Sequence, residues 1–175
     1  MTTTGEIAVT SEPDDLAVGD DRRAPRRDWF ALLARLVLGG VLVVAGALKI
    51  GHPAASARAV QAYHLLPYDV ARLVGYGLPL LEIIVGALLI LGLLTRAAAV
   101  VGSLLMVAFL VGIISAWARG LAIDCGCFGG GGTIAKADTA YPQEVARDTG
   151  LLLLGLFLSW RPSSALSLDR RWYGI

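Results

Sequence analysis

Leu73–Ala118 reads LVGYGLPLLEIIVGALLILGLLTRAAAVVGSLLMVAFLVGIISAWA, an apolar run that carries charge only at Glu82 and Arg96. As one straight helix it would be ~69 Å long at ~1.5 Å per residue, more than twice a ~30 Å hydrocarbon core. The chain must therefore turn back at Thr95-Arg96. The stretch reads as two antiparallel membrane spans, about Leu73–Leu94 and Ala97–Ala118, joined by almost no linker.

Working outward, a third apolar run, Trp29–Leu48, precedes this hairpin, and a weaker one, Thr149–Trp160, follows it. The last covers only ~18 Å. To cross a bilayer it has to recruit its Glu144–Asp148 end, with those charges facing protein or headgroups. Four spans with short links predict an all-α fold, an integral membrane four-helix bundle over residues 29–160. The composition agrees. At 175 residues, 56% hydrophobic and mean hydropathy +0.68, the chain is too apolar for a soluble domain of this size. A net charge of +1 gives no field to attract nucleic acid. The preference for Arg over Lys, with abundant Ala, Gly, Val and Leu, hints at a bacterial source.

Residues 1–28 are rich in Thr, Asp, Glu and Arg and are expected to form a disordered tail. They show no small-residue cleavage site, so the first span is expected to stay as an anchor. Residues 161–175 form a second tail. Loop charge sets the orientation. The N-tail, the Arg96 link and the C-tail together carry eight basic residues, against three in the opposite loops, or six if Lys49, Arg72 and Arg147 at the span ends are added. Both termini are thus expected in the cytoplasm and the opposite loops outside a bacterial inner membrane. Trp29, Trp117 and Trp160 fall at span ends, where interfacial aromatics belong. In the first outer loop, Pro53 suits a first helical position, Ala55–Leu66 reads as a short interfacial helix, and Pro67 ends it.

The only two cysteines, Cys125 and Cys127, lie in the other outer loop, in Asp124-Cys125-Gly126-Cys127-Phe128-Gly129. Five of the seven residues from Gly126 to Gly132 are glycine, which reads as a flexible segment. Cα atoms two residues apart lie within ~7 Å, near the upper edge of disulfide geometry. A disulfide there closes a very small ring and is easily reduced, which suits exchange better than structural stapling. An extracytoplasmic position permits oxidation. Two other readings stay open: packed cysteines in an interfacial turn, and soft-metal binding. Two thiolates alone make a poor closed metal site, so no metal is expected.

Arg35, Lys49, Glu82 and Asp148 are ionisable residues within or at the ends of spans. Such groups usually face the bundle interior and find partners, because an unpaired one near mid-bilayer costs about 2.5–3.5 kcal/mol. Glu82, three residues after Pro79, lies near mid-membrane. Arg35 reaches it only by snorkelling inward, whereas Lys49 and Asp148 match each other in depth at the outer end. Together they read either as a proton or quinone site below the cysteine loop, or as buried ion pairs that fix helix register. His52 and His64, with no carboxylate cluster beside them, read as interfacial side chains. The glycine run lacks the Lys-Ser/Thr of a phosphate loop, and no nucleophile-elbow, zinc-protease or kinase pattern occurs.

These residues carry a resemblance. Arg35 and Gly46-Ala47-Leu48-Lys49, Tyr63-His64-Leu65-Leu66-Pro67, Leu78-Pro79-Leu80-Leu81-Glu82 with Gly86, Arg119-Gly120, and Cys125-Gly126-Cys127-Phe128-Gly129 together resemble the MauE family, within the DoxX-like group of four-span membrane proteins. The likeness runs from about Trp29 to Trp160. It implies a role in processing, transport or maturation of the methylamine dehydrogenase β-subunit, a periplasmic, disulfide-dense protein. The layout is also similar to quinone-linked disulfide-forming membrane enzymes. Those carry two cysteine pairs, and this chain has one.

The leading expectation is a membrane protein whose Cys125/Cys127 pair exchanges disulfides with an exported client or a thioredoxin-like partner, a quinone being a candidate acceptor near Glu82. The alternative is a non-catalytic scaffold or assembly subunit of a redox complex. A small-molecule or metal transporter ranks last, since four spans with few polar interior residues make a poor pore unless the chain forms a homo-oligomer.

Overall fold

The computed structural model describes residues 24–126 and 130–160. Of the expected N-terminal tail over residues 1–28, residues 1–23 lie outside the described residues, as do the C-terminal tail 161–175 and Cys127, while residues 24–28 are helical rather than disordered. Helix α1 spans Ala24–Ile50, α2 Pro53–Ala62, α3 Tyr68–Leu91, α4 Thr95–Ala118 and α5 Tyr141–Trp160. α1 starts five residues before the expected Trp29, with Pro25 in its first turn, where a missing N–H costs nothing. α2 begins at Pro53 as read but stops at Ala62, short of the expected Leu66. The chain then leaves the helix through His64, which takes a left-handed φ of 49°.

Three helices among the described residues are long and apolar enough to cross a membrane: Trp29–Ile50, Tyr68–Leu91 and Thr95–Ala118. α5 falls short because Glu144, Arg147 and Asp148 sit in its first turns. It packs nonetheless along α4 and α1. Leu151 and Leu158 join Leu38, Leu42, Val85, Leu89, Ala98, Ala99 and Met106 in one buried core. The outer faces are apolar too: Leu73, Leu104, Val111 and Leu153 are each more than half exposed. This distribution suits lipid rather than water.

The hairpin read at Thr95-Arg96 forms one turn earlier than its sequence marker. α3 ends at Gly92, whose φ of 69° is the left-handed geometry that favours glycine. The Gly92 N–H reaches Leu89 O, and the Leu93 N–H reaches Leu88 O. Thr95 already belongs to α4.

α1 and α3 meet through small residues. A Cβ on Gly39 would stand 2.8 Å from the Gly86 carbonyl oxygen, and one on Gly86 would meet Gly39 O and Val43. Gly46 faces the carbonyl of Pro79 just as closely. Such contacts replace the missing hydrophobic drive between helices in lipid. α2 lies across α3, where a Cβ on Gly75 would run into the backbone of Ala57.

The all-α reading needs one amendment. Ile123–Asp124 and Gly132–Thr133 pair antiparallel, Ile123 with Thr133 and Asp124 with Gly132. Two residues per strand are too few for a period-2 pattern to register in sequence.

Replacing Gly86 by Leu is expected to destabilise the fold by at least the ~1–3 kcal/mol of ordinary overpacking, because the obstacle is backbone. Gly77, with nothing within 4 Å of its Cβ position, is expected to accept Ala with little change. Thermal unfolding of both variants in detergent micelles checks this; equal midpoints would refute the close α1–α3 contact.

Candidate functional site

The four intramembrane ionisable residues do not form one cluster. Arg35 and Lys49 are 14 residues apart on α1, which is ~21 Å along the axis. Arg35, 1% exposed, donates from Nε to Leu89 O at 2.8 Å and from Nη2 to Ile90 O at 3.1 Å. Its guanidinium lies over Gly92, where a Cβ would collide with it. Arg35 thus caps the last carbonyls of α3, where a cation also meets the negative end of the helix dipole. Arg35 does not snorkel inward to Glu82; it bonds the carbonyls at the α3 C-terminus.

Glu82 pairs with Lys49 instead. Lys49 Nζ donates to Glu82 Oε1 at 2.7 Å and Oε2 at 3.0 Å, and the carboxylate is fully buried. Lys49 Nζ also stands 5.5 Å from the centre of the Phe109 ring. The depth match of Lys49 with Asp148 does not become a bond. Asp148 Oδ1 accepts from Arg147 Nε at 2.8 Å. Lys49, read at the outer end of its span, and Glu82, read near mid-membrane, meet directly, so direction around the helices decided the partner that depth alone had assigned to Asp148.

Asp148 still belongs to this site. It is 2% exposed, and its Oδ2 has no hydrogen-bond partner among the described residues. Asp148, Arg147 and Glu82 line one cavity of about 20 Å³ with Val41, Leu42, Ala45, Met106, Phe109 and Leu151. That volume holds about one water, and an orphaned carboxylate oxygen is the kind of group a buried water satisfies.

Lys49 lines a larger cavity, of about 260 Å³. α2, α3 and α4 wall it, largely with apolar side chains such as Leu78, Pro79, Leu105 and Phe109. Lys49 and Ser56 supply polar groups to its lining, and Cys125 and Gly126 line it too.

The described part of the cysteine loop is pinned rather than loose. Tyr63 Oη donates to Cys125 O at 3.1 Å. Arg119 Nη2 donates to Tyr63 O, and Arg119 Nε to Ser115 O at 3.0 Å. Tyr141 Oη donates to Leu121 O at 2.8 Å and accepts from the Ile123 N–H at 3.3 Å. The Asp124 carboxylate accepts from the N–H groups of Gly126 and Gly131, both at 3.2 Å. Gly126 (φ 69°) and Gly131 (φ 115°) both press on Ala59 of α2, so glycine is required there by close approach and backbone angle.

Sequence reasoning missed Asp124 and Glu144 here. One ligand-capable atom from each, with Cys125 Sγ, lies within 4.8 Å of the others. Asp124 already accepts from two backbone N–H groups, and the trio offers, among the described residues, three of the four ligands of a closed metal site. Glu144 Oε2 is buried without a hydrogen-bond partner among the described residues. The Asp-x-Gly spacing was a legible turn signal; nothing in the sequence marked Glu144 as a neighbour of Cys125. His52 and His64 are exposed and join no ligand group among the described residues.

Lys49→Met is expected to destabilise the fold by about 3–5 kcal/mol, because it leaves a buried carboxylate unpaired. Lys49→Met with Glu82→Gln should recover most of that loss. Unfolding midpoints of the four members of this cycle test the pair; additive effects would refute it.

No curated protein and no solved structure matches the chain. Residues 27–161 match the family model described as Methylamine utilisation protein MauE, a match that takes in both ends of the lysine–glutamate pair, the large cavity and the cysteine loop, and the chain belongs to that family.

Proposed function

We propose that this membrane protein supports redox maturation of an exported protein, exchanging disulfides through Cys125 and Cys127. The observation that carries the reading is the setting of Cys125. Its backbone is clamped by Tyr63, a carboxylate oxygen of Glu144 lies within 4.8 Å of its sulfur, Glu144 Oε2 has no hydrogen-bond partner among the described residues, and Cys125 is one of the residues lining an apolar cavity. A clamped sulfur with a proton acceptor at hand suits thiol–disulfide exchange, in which a thiolate attacks and a thiolate leaves. Glu144 would hold the proton as the sulfur changes state. A merely packed cysteine needs neither feature.

In this reading α5 is the fourth span, with Asp148 turned to protein and the 29–160 unit a four-helix bundle between cytoplasmic tails. The cysteine loop lies outside the bacterial inner membrane. The family description points to methylamine utilisation. The client is an exported, disulfide-rich protein, the methylamine dehydrogenase β-subunit being the one the family suggests, reached directly or through a thioredoxin-like partner.

Cys125→Ser or Cys127→Ser is expected to leave the client reduced, seen as a full alkylation mass shift on its cysteines. A membrane-impermeant maleimide should label the pair in intact cells only after reductant. Fully oxidised client in both variants, or labelling indifferent to oxidant and reductant, would instead support a scaffold role.

Glu144→Gln is expected to slow exchange by on the order of 10²-fold and to change its pH profile. The measurement is the rate of mixed-disulfide formation with a small aromatic disulfide across pH. A profile equal to that of the unsubstituted protein would remove Glu144 from the mechanism.

A further inference from the structure

Disulfide exchange leaves Asp148 without a role. The residue is 2% exposed, and its Oδ1 accepts from Arg147 Nε at 2.8 Å. Its Oδ2 is buried with no hydrogen-bond partner among the described residues. Asp148 shares the lining of the cavity of about 20 Å³ with Glu82, which is fully buried and bonded to Lys49. We propose that one water in this cavity joins the two carboxylates, and that Asp148, the water and Glu82 form a proton-transfer path between the surface at Arg147 and Lys49. The path involves neither cysteine and stands independently of the disulfide-exchange reading.

Size and hydrogen-bond capacity select a water and a proton. A buried water needs about two to four polar partners. Asp148 Oδ2 lacks a partner. The Glu82 oxygens accept from Lys49 at 2.7 and 3.0 Å, and each keeps a further lone pair. A water has two hydrogens to give, one for each carboxylate. A hard metal cation takes about six or more oxygens. This cavity offers two carboxylates beside the cationic Arg147, with apolar side chains such as Ala45 and Met106 around them. A proton needs no such shell. Among the described residues, the charged groups around the water are Glu82 on α3, Arg147 and Asp148 on α5, and Lys49 on α1 through its bond to Glu82. α4 lines the cavity with the uncharged Met106 and Phe109. Glu144, a turn earlier on α5, stands by Cys125 instead.

Outward, the path reaches the surface through Arg147, whose side chain is 30% exposed. Inward, Lys49 also lines the cavity of about 260 Å³. That space is walled largely by apolar side chains, which hold water poorly, so it is a poor route for protons to Lys49. The hops balance. Lys49 gives one N–H proton to a Glu82 oxygen, and Glu82 gives one to the water. The water gives one of its own to Asp148 Oδ2, and Asp148 releases it to solvent beside Arg147. At each hop one N–H or O–H bond breaks and one O–H bond forms, and no electron changes hands. A solvent proton returns in the reverse order. A proton that Lys49 yields to a molecule in the larger cavity is replaced in the same way.

The test is hydrogen exchange of the Lys49 ammonium with solvent, followed by nuclear magnetic resonance of the full-length protein in lipid nanodiscs with isotope-labelled lysine. The chain has two lysines, and the other, Lys136, is exposed, so the slowly exchanging signal belongs to Lys49. Asp148→Asn should slow that exchange. So should Ala45→Val, which fills the small cavity and keeps both carboxylates. Each slowing is expected to be about tenfold or more, equivalent to about 1.4 kcal/mol of added barrier. An unchanged Lys49 ammonium shift shows that the bond to Glu82 survives in the variants. A variant that only loosens the fold speeds exchange, so slowing is not a sign of damage. Val60→Trp, which fills the larger cavity, should leave the rate unchanged. Exchange at the unsubstituted rate in either folded variant, Asp148→Asn or Ala45→Val, would overturn the proposal. Slowing by Val60→Trp would overturn it too, because protons would then reach Lys49 through the larger cavity. Where Asp148→Asn fails to fold, Ala45→Val decides. Client oxidation in the cysteine variants is read separately and leaves this result untouched.

Discussion

Lys49 and Glu82 form a buried ion pair where α1 and α3 cross, and the arrangement of the site follows from it. A lone charge at that depth would cost several kcal/mol, so each residue fixes the other in place. The pair sits beside the Gly46–Pro79 contact, where the two backbones approach closely, so small residues and opposite charges act on the same crossing. Its two members also line different cavities. Lys49 borders the larger one, towards Cys125, and Glu82 borders the water-sized one, towards Asp148.

The same economy holds at the ends of the bundle. Arg35 spends its guanidinium on the last carbonyls of α3, which lets α3 stop and α4 start within a few residues. Without that cap, carbonyls at the α3 terminus would face a low-dielectric setting with fewer donors. At the opposite end, Tyr63, Arg119 and Tyr141 tie the cysteine loop to α2, α4 and α5 through backbone carbonyls. Two of the loop's glycines, Gly126 and Gly131, lie against Ala59. Composition alone had suggested looseness, yet at Gly126 and Gly131 close packing is what demands glycine.

Chemistry and packing meet at Cys125. A thiol in a loop is unremarkable by itself. Here its sulfur lies within 4.8 Å of a carboxylate oxygen of Glu144, whose Oε2 has no hydrogen-bond partner among the described residues, and the residue lines an apolar cavity that Lys49 lines too. Each neighbour comes from a different element: Glu144 from α5, Tyr63 from the end of α2, and Lys49 from α1.

The sequence alone determined the helices and the turn between α3 and α4, because hydrocarbon thickness limits how far an apolar run can continue. It also marked Arg35, Lys49, Glu82 and Asp148 as residues that must find partners, since charge inside a membrane is costly whatever the fold. It signalled the α2 start through Pro53 and the family through the spacing of the glycines, the Leu-Pro-Leu-Leu-Glu stretch and the Cys-Gly-Cys. Only the tertiary structure decided who pairs with whom. Depth along a helix is linear in residue number, but direction around its axis becomes a contact only after the helices are packed. That is why Arg35 went to a helix end, Glu82 went to Lys49, and Glu144 came to stand beside Cys125.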